Sequence, residues 1–123
     1  MSANAQIEGT FVPDNLVIKG GLARKVTIKS GAGILPRGTV LGKVTADREY
    51  LKSVAAATDG SQTPDAILSE PVDATSGDVE AIVYITGHYN LSALAIGAGH
   101  TAASIDDAFR GKSIFIETTV PHP

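Results

Sequence analysis

Glycine and proline interrupt this chain so often that long regular elements have little room to form. The 123 residues include 13 glycines and 6 prolines, and pairs such as Asp59-Gly60 and Thr63-Pro64 are typical of turns. The runs between them are aliphatic, since only 5% of the residues are aromatic. Short runs rich in valine and isoleucine favour β-strands. We therefore expect a mainly β domain rather than a helical bundle.

The apolar pattern predicts a series of short strands and one short helix. The predicted strands are Leu16 to Lys19, Arg24 to Lys29, Thr39 to Ala46, Glu49 to Lys52, Ala66 to Ser69, Val79 to Tyr89, Leu91 to Ile96 and Ser113 to Thr118. Glu49 to Lys52 is the expected hairpin partner of the strand before it, and Val79 to Tyr89, the longest, is expected to be central. Ser104 and Asp107 have the spacing of a helix start and Gly111 of a helix end, so the helix is predicted near residues 104–110.

Charge is distributed unevenly along the chain. Residues 1–52 carry eight basic and four acidic residues, residues 53–109 carry eight acidic residues and no lysine or arginine, and the net charge of the whole chain is -3. This balance argues against direct nucleic-acid binding. Two hypotheses remain open. Either the two halves interleave in one sheet and their fields largely cancel, or an acidic and a basic surface meet between subunits.

Composition also excludes several classes of protein. There is no cysteine, so disulfides, thiolate metal sites and cysteine nucleophiles are excluded. No apolar run approaches the ~18 residues of a membrane span, and the start MSANAQIEGT lacks the features of a secretory signal. We expect a soluble protein made inside the cell, with no membrane partner.

The run from Gly97 to Ala102 imitates a dinucleotide-binding fingerprint. It follows an apolar stretch, precedes the predicted helix, and has Glu117 about 20 residues beyond it, as in such sites. A dinucleotide-binding fold needs further βαβ units, for which the remaining chain is too short. The glycines are therefore expected to shape the entry to the helix.

No other motif predicts catalysis, a cofactor or a metal. His88, His100 and His122 lack metal-ligand spacing, and no G-x-S-x-G motif anchors a serine nucleophile. The acidic loop between Asp59 and Asp78 lacks the spacing of a calcium loop and is interpreted as solvated turns. We expect a protein that is not an enzyme and has no cofactor.

The sequence divides into three parts. Residues 1–19 form a predicted N-terminal arm, whose first 15 residues are polar and without periodicity; residues 20–118 form the β domain; residues 119–123 form a tail. Such an arm is suited to pairing as a β-strand with an exposed edge on a partner. Ile7, Phe11 and Val12 are its apolar residues.

Several segments together resemble the lambda-type head decoration proteins of tailed bacteriophages. They are Gly21 to Ile28, Leu35 to Val44, Ala56 to Leu68, Tyr84 to Gly87 and the helix and strand from Ala102 to Phe115. The likeness covers about residues 20–118, and Met1 to Lys19 shows no close match. These motifs are turns and strands, so they are specific as a set rather than one at a time.

The resemblance implies a compact mixed β domain of barrel or β-tulip type that forms a homotrimer. Such a trimer would cap three-fold or quasi-three-fold sites on the outer surface of the expanded phage head. It would clamp the major capsid protein against internal DNA pressure, after synthesis in the host bacterial cytoplasm. The arm residues expected to contact the capsid are Ile7, Thr10, Phe11 and Val12.

A small β-barrel binding module or a lipoyl-like carrier domain is the alternative. The run from Leu35 to Leu41 is similar to the hairpins of lipoyl-type domains, which carry a lysine at an exposed hairpin tip for cofactor attachment. Lys43 instead lies inside a predicted strand.

Overall fold

Short strands dominate the part of the chain that the computed structural model describes, residues 16–117. The strands are β1 (Val17–Lys19), β2 (Ala23–Ile28), β3 (Gly33–Leu35), β4 (Val40–Lys43), β5 (Tyr50–Lys52), β6 (Pro64–Leu68), β7 (Val72–Ala74), β8 (Val79–Tyr84), β9 (Gly87–Asn90) and β10 (Ile114–Glu117). One α-helix, α1 (Ala102–Arg110), and a 3-10 helix at Leu91–Ala93 complete this part. The prediction of a mainly β domain is confirmed.

Five strands close into a small barrel in the order β2-β5-β4-β6-β8. Strand β2 runs antiparallel to β8 along its whole length, from the pair Ala23↔Tyr84 to the pair Ile28↔Val79. It joins β5 at a single parallel pair, Ile28↔Tyr50. The first core fills the barrel with fully buried aliphatic side chains such as Leu68. The barrel-type architecture implied by the resemblance is therefore confirmed.

A second core lies between the barrel, helix α1 and a three-stranded sheet of order β1-β9-β10. The side chains of Tyr89, Ile105, Phe109 and Ile114 are all 0% exposed within it. The helix begins with a capping box in which Thr101 and Ser104 each accept a hydrogen bond from the other's backbone N–H. Ser104 is thus the third helical residue, not the residue before the helix.

The predicted central strand from Val79 to Tyr89 is two strands in two different sheets, so this prediction was wrong. Strand β8 belongs to the barrel and β9 to the three-stranded sheet. Gly87 lies at the junction with a φ of 125°, a conformation that glycine adopts without strain. A Cβ atom there would lie 2.7 Å from Tyr89 Oη. No clear break is visible in the sequence, because residues with strong β propensity continue on both sides, from Val83 and Tyr84 to Tyr89.

Other differences concern short elements. The segment Leu91 to Ile96 contains a 3-10 helix instead of a strand, because the Asn90 side chain accepts a hydrogen bond from Ser92 N and turns the chain. Strands β3 and β7 were not predicted: Gly33 and Pro36 at β3 are typical of a turn, and Pro71 directly precedes β7. Strand β4 ends at Lys43, and its predicted antiparallel pairing with β5 is confirmed.

The two charged halves of the chain interleave, as the first of the two charge hypotheses predicts. Strand β2 comes from the basic half and β8 from the acidic half, and they pair over six residues. Lys25 Nζ lies 3.5 Å from Glu80 Oε1 across this pair. Both side chains are mostly exposed, so this ion pair adds little stability, but it reduces the field of each half.

Helix α1 supplies a test of the second core. We expect Phe109→Ala to lower the free energy of unfolding by about 3–5 kcal/mol, because it leaves a cavity among fully buried side chains. Phe115→Ala is the matched control, since Phe115 is 41% exposed and its truncation should cost about 1 kcal/mol or less. Urea unfolding of both variants measures the difference. Equal losses would contradict this assignment of the core.

Candidate functional site

The N-terminal segment joins the β domain at Leu16, which is 1% exposed and packs in the second core. Leu16 O accepts a hydrogen bond of 2.8 Å from Asn90 N, and β1 then pairs with β9. Residues 16–19, assigned to the arm by the predicted division, therefore contact the domain. The residues predicted to contact the capsid come before this point and lie outside the described residues: Ile7, Thr10, Phe11 and Val12. The predicted tail, residues 119–123, also lies outside them.

Both ends of the described chain lie at the same end of the three-stranded sheet. Glu117 in β10 pairs with Asn90, and Asn90 N binds Leu16 on the other side. Neighbouring strands are about 4.8 Å apart, so Leu16 and Glu117 lie about 10 Å from each other. The two ends of the described chain thus lie side by side.

The outer face of this sheet carries an exposed aromatic group. The rings of His88 and Phe115 are 5.0 Å apart, and His88 Nδ1 contacts the Glu117 carboxylate. The neighbouring Tyr89 points the opposite way, into the second core. Phe115 and Ile18, each 41% exposed, therefore leave apolar area uncovered on the sheet from which the arm departs.

A cleft of about 270 Å³ opens between the first half of β2 and the β4–β5 hairpin. It exists because β2 meets β5 at only one residue pair and separates from it toward Ala23. We call this cavity the cleft. Its lining residues are Arg24, Lys25, Val26, Thr27, Lys43, Asp47, Arg48, Glu49 and Tyr50.

The cleft carries an excess of positive charge. Lys25 is paired with Glu80, and Asp47 with Lys29, which lies outside the cleft. Among residues 16–117, the side chains of Arg24, Lys43 and Arg48 have neither a hydrogen bond nor an ion pair. Arg48 has a φ of 63°, which is uncommon for a residue with a side chain. Glu49 is the one lining carboxylate without an ion pair, so the cleft has the charge of an anion-binding surface.

Tyr50 closes the floor of the cleft with a buried hydrogen bond. Its hydroxyl donates to Asp65 Oδ2 at 2.9 Å, and Asp65 Oδ1 lies 3.0 Å from Lys112 Nζ. Burial, and next the hydrogen bond to Asp65, raise the pKa of Tyr50 to about 12. The phenol therefore stays neutral at physiological pH and ties the barrel to the turn after α1.

This pKa predicts a loss of stability in alkali. Tyr50 releases its proton near pH 10 when unfolded but only near 12 when folded, so its stabilising contribution is lost as pH rises through that interval. Burial also raises the pKa of Tyr89 to about 12. We expect Tyr50→Phe to make the free energy of unfolding less dependent on pH between 10 and 12. Urea unfolding across that range measures the two slopes, and identical slopes would contradict the prediction.

Within residues 16–117, the histidines and the glycines before α1 that the sequence analysis considered take part in loop and strand structure. His100 bonds to Ser53 Oγ at 3.2 Å and to Ser104 Oγ at 3.0 Å, but Ser53 is 0% exposed and no carboxylate contacts the ring. Gly97 allows the Ser53 carbonyl to approach closely, since a Cβ would lie 1.9 Å from that oxygen. This glycine therefore shapes the loop into α1, as predicted. His88 lies on a strand, and no three metal-ligating side chains among residues 16–117 are grouped to hold an ion.

The interpretation of the acidic segment as solvated turns was wrong in part, since Asp65 lies in β6 and Asp73 in β7. Asp59 accepts hydrogen bonds from Ser61 Oγ and Ser61 N, and Asp73 accepts them from Thr75 Oγ1 and Thr75 N. The serine and threonine hydroxyls are the largest cause of the lowered pKa of each aspartate. These carboxylates stay ionised and exposed. The structure does not support the alternative of a lipoyl-like carrier domain. Such a domain carries a lysine at an exposed hairpin tip, and the tip of the β4–β5 hairpin, residues 44–49, contains no lysine.

No helix within residues 16–117 has the length and hydropathy needed to cross a membrane.

The cleft was not predicted from the sequence. Arg24 and Lys25 lie in a predicted strand, but nothing in the sequence placed Lys43 and Arg48 beside them.

Comparison with known proteins identifies a family. The model of the family described as bacteriophage lambda head decoration protein D matches residues 5–114. The match begins in the N-terminal segment, so the statement that this segment shows no close likeness was wrong for residues 5–19. No curated protein matches the chain.

Proposed function

The chain belongs to the family of the bacteriophage lambda head decoration protein D, and we propose that it binds as a trimer to three-fold and quasi-three-fold sites of the expanded phage capsid. Membership makes it a structural protein of the phage head that associates with the capsid. The proposal adds the trimer, the outer surface of the capsid as its location, and stabilisation against the pressure of packaged DNA. It also assigns synthesis to the bacterial cytoplasm and no enzymatic role.

The observation that carries this proposal is the family match over residues 5–114, which includes both the β domain and most of the predicted arm. The structure of the domain supports it. Leu16 is the first described residue and packs in the second core, so the domain holds the chain at the point where residues 1–15 join it. An N-terminal segment anchored in this way is suited to fastening one subunit to another.

We assign the capsid contact to the arm, through Ile7, Thr10, Phe11 and Val12. An extended segment that adds a strand to a sheet edge gains affinity from backbone hydrogen bonds and register from alternate side chains. The arm starts from a fixed point, because Leu16 is held in the core and by Asn90. A fixed start limits the volume that the arm searches and so reduces the entropy lost on binding.

Deleting Met1 to Asn15 tests the role of the arm. We expect the midpoint of thermal unfolding to change little, because Leu16 and both cores remain, while binding to expanded heads is lost. Phe11→Asp in the full chain should have the same effect, and Phe11→Leu, which keeps the apolar contact, is its control. Sedimentation with DNA-free heads measures binding. Normal decoration by the truncated protein would show that the arm is not the contact.

Trimer formation should multiply the affinity of a weak arm. Once one arm has bound, the other two act at millimolar-scale effective concentration, so affinity can exceed that of one arm by ~10² to 10⁴. We expect a synthetic Met1 to Lys19 peptide to bind expanded heads at least about a hundredfold more weakly than the whole protein. Titration of peptide and protein against DNA-free heads measures the ratio. Equal affinities would exclude a multivalent contribution.

A further inference from the structure

The cleft has a free strand edge along one wall. Leu22 O accepts a hydrogen bond of 2.9 Å from Ile85 N. Because backbone groups alternate in direction along an antiparallel pair, those of Arg24 and Val26 face β8, while those of Ala23 and Lys25 face the cleft. Strand β5 reaches β2 only at Ile28. The backbone groups of Ala23 and Lys25 therefore lie beside the cleft without a strand pairing among residues 16–117.

Elsewhere on the molecule, β3 and β7 form a two-stranded ribbon with complementary features. Ile34 is 76% exposed, the highest exposure of the large apolar side chains described. It pairs across the ribbon with Asp73 in β7. Thr75 N and Oγ1 both donate hydrogen bonds to the Asp73 carboxylate. These bonds orient the carboxylate and lower its pKa. On the side away from β3, strand β7 pairs with no other strand of the described chain.

We propose that the cleft of one subunit receives the β3–β7 ribbon of a second copy, with Asp73 against Arg24, Lys43 and Arg48. The free edge of β7 then lies along the free edge of β2, and Ile34 is covered by the neighbouring subunit. This inference rests on the proposed trimer and names the surfaces that would form it.

Charge and symmetry both support this contact. A cleft with three cations that have no ion pair within residues 16–117 matches an exposed carboxylate, and such pairs select the partner and the register of an interface. The two surfaces use different residues of the chain, so the contact is head-to-tail. Head-to-tail contacts form closed rings when the rotation between subunits allows it, and a three-fold rotation would use one ribbon and one cleft from each copy.

The absence of cysteine from the chain makes a direct test possible. We expect a Thr27→Cys, Ile34→Cys double variant, treated with a short bis-maleimide on expanded heads, to give a covalent ladder that ends at three chains. Thr27 lines the cleft and Ile34 is exposed on the ribbon, so this variant keeps Asp73 and the three cations. Lys52→Cys with Asp107→Cys is the control, since both positions lie outside both surfaces. Amine cross-linking of the unmodified protein on the same heads reports the trimer independently.

The outcomes separate this inference from the proposed function. A trimer in the amine reaction without a ladder from the cysteine pair would overturn the inference and leave the proposed function standing. Cross-links from Thr27→Cys to the major capsid protein would overturn it as well, because the capsid would then occupy the cleft. No trimer in the amine reaction would overturn both.

Charge reversal gives a second measurement. We expect Arg24→Glu with Arg48→Glu, and separately Asp73→Lys, to weaken trimer association by about tenfold or more. Combining all three changes in one chain should restore much of the trimer association, because the cleft then carries the acidic side chains and the ribbon the basic one. Lys19→Glu with Lys52→Glu alters the net charge equally and should have little effect. Native mass spectrometry across a concentration series measures each association, and failure of the combined variant to recover would contradict the pairing.

Discussion

The antiparallel pairing of β2 with β8 is the interaction on which the rest of the structure depends. It joins two segments more than 50 residues apart in the chain and closes the barrel that contains the first core. It also brings the basic and the acidic halves of the sequence together. Strand β8 forms backbone hydrogen bonds with only one edge of β2. The first half of the other edge pairs with no described strand and forms a wall of the cleft.

The second constraint is the change of direction at Thr86 and Gly87. Tyr89 Oη donates to Thr86 O at 2.6 Å, and Gly87 adopts a left-handed conformation. The chain thereby leaves the barrel and enters the three-stranded sheet, where β9 pairs with β1 on one side and β10 on the other. That arrangement places the start of the arm next to the end of the domain.

Many of the described polar side chains are used in turns, in the helix cap and in links such as Tyr50 to Asp65. Apolar side chains on short strands, such as Ile34 and Phe115, stay exposed, and the cleft carries an excess of basic residues. Exposed apolar and charged surfaces of this kind are common in protein–protein contacts. Such contacts are what a structural protein of the phage capsid requires.

The sequence by itself determined the local character of the chain. Frequent glycine and proline limited the length of every element, aliphatic runs predicted most of the strands, and the spacing of Ser104 and Gly111 predicted the helix within a few residues. The set of turn and strand motifs, taken together, also indicated the family. These features follow from backbone preference and side-chain periodicity, which act over a few residues.

Only the tertiary structure decided which strands are neighbours. Val79 to Tyr89 was predicted as one strand, yet it is divided between two sheets because Tyr89 packs in the second core while Val83 packs in the first. Strands β3 and β7 exist because they pair with each other. Arg24, Lys43 and Arg48 meet because the barrel closes at one residue pair. Contacts between residues distant in the chain depend on barrel closure and core packing, which no local pattern encodes.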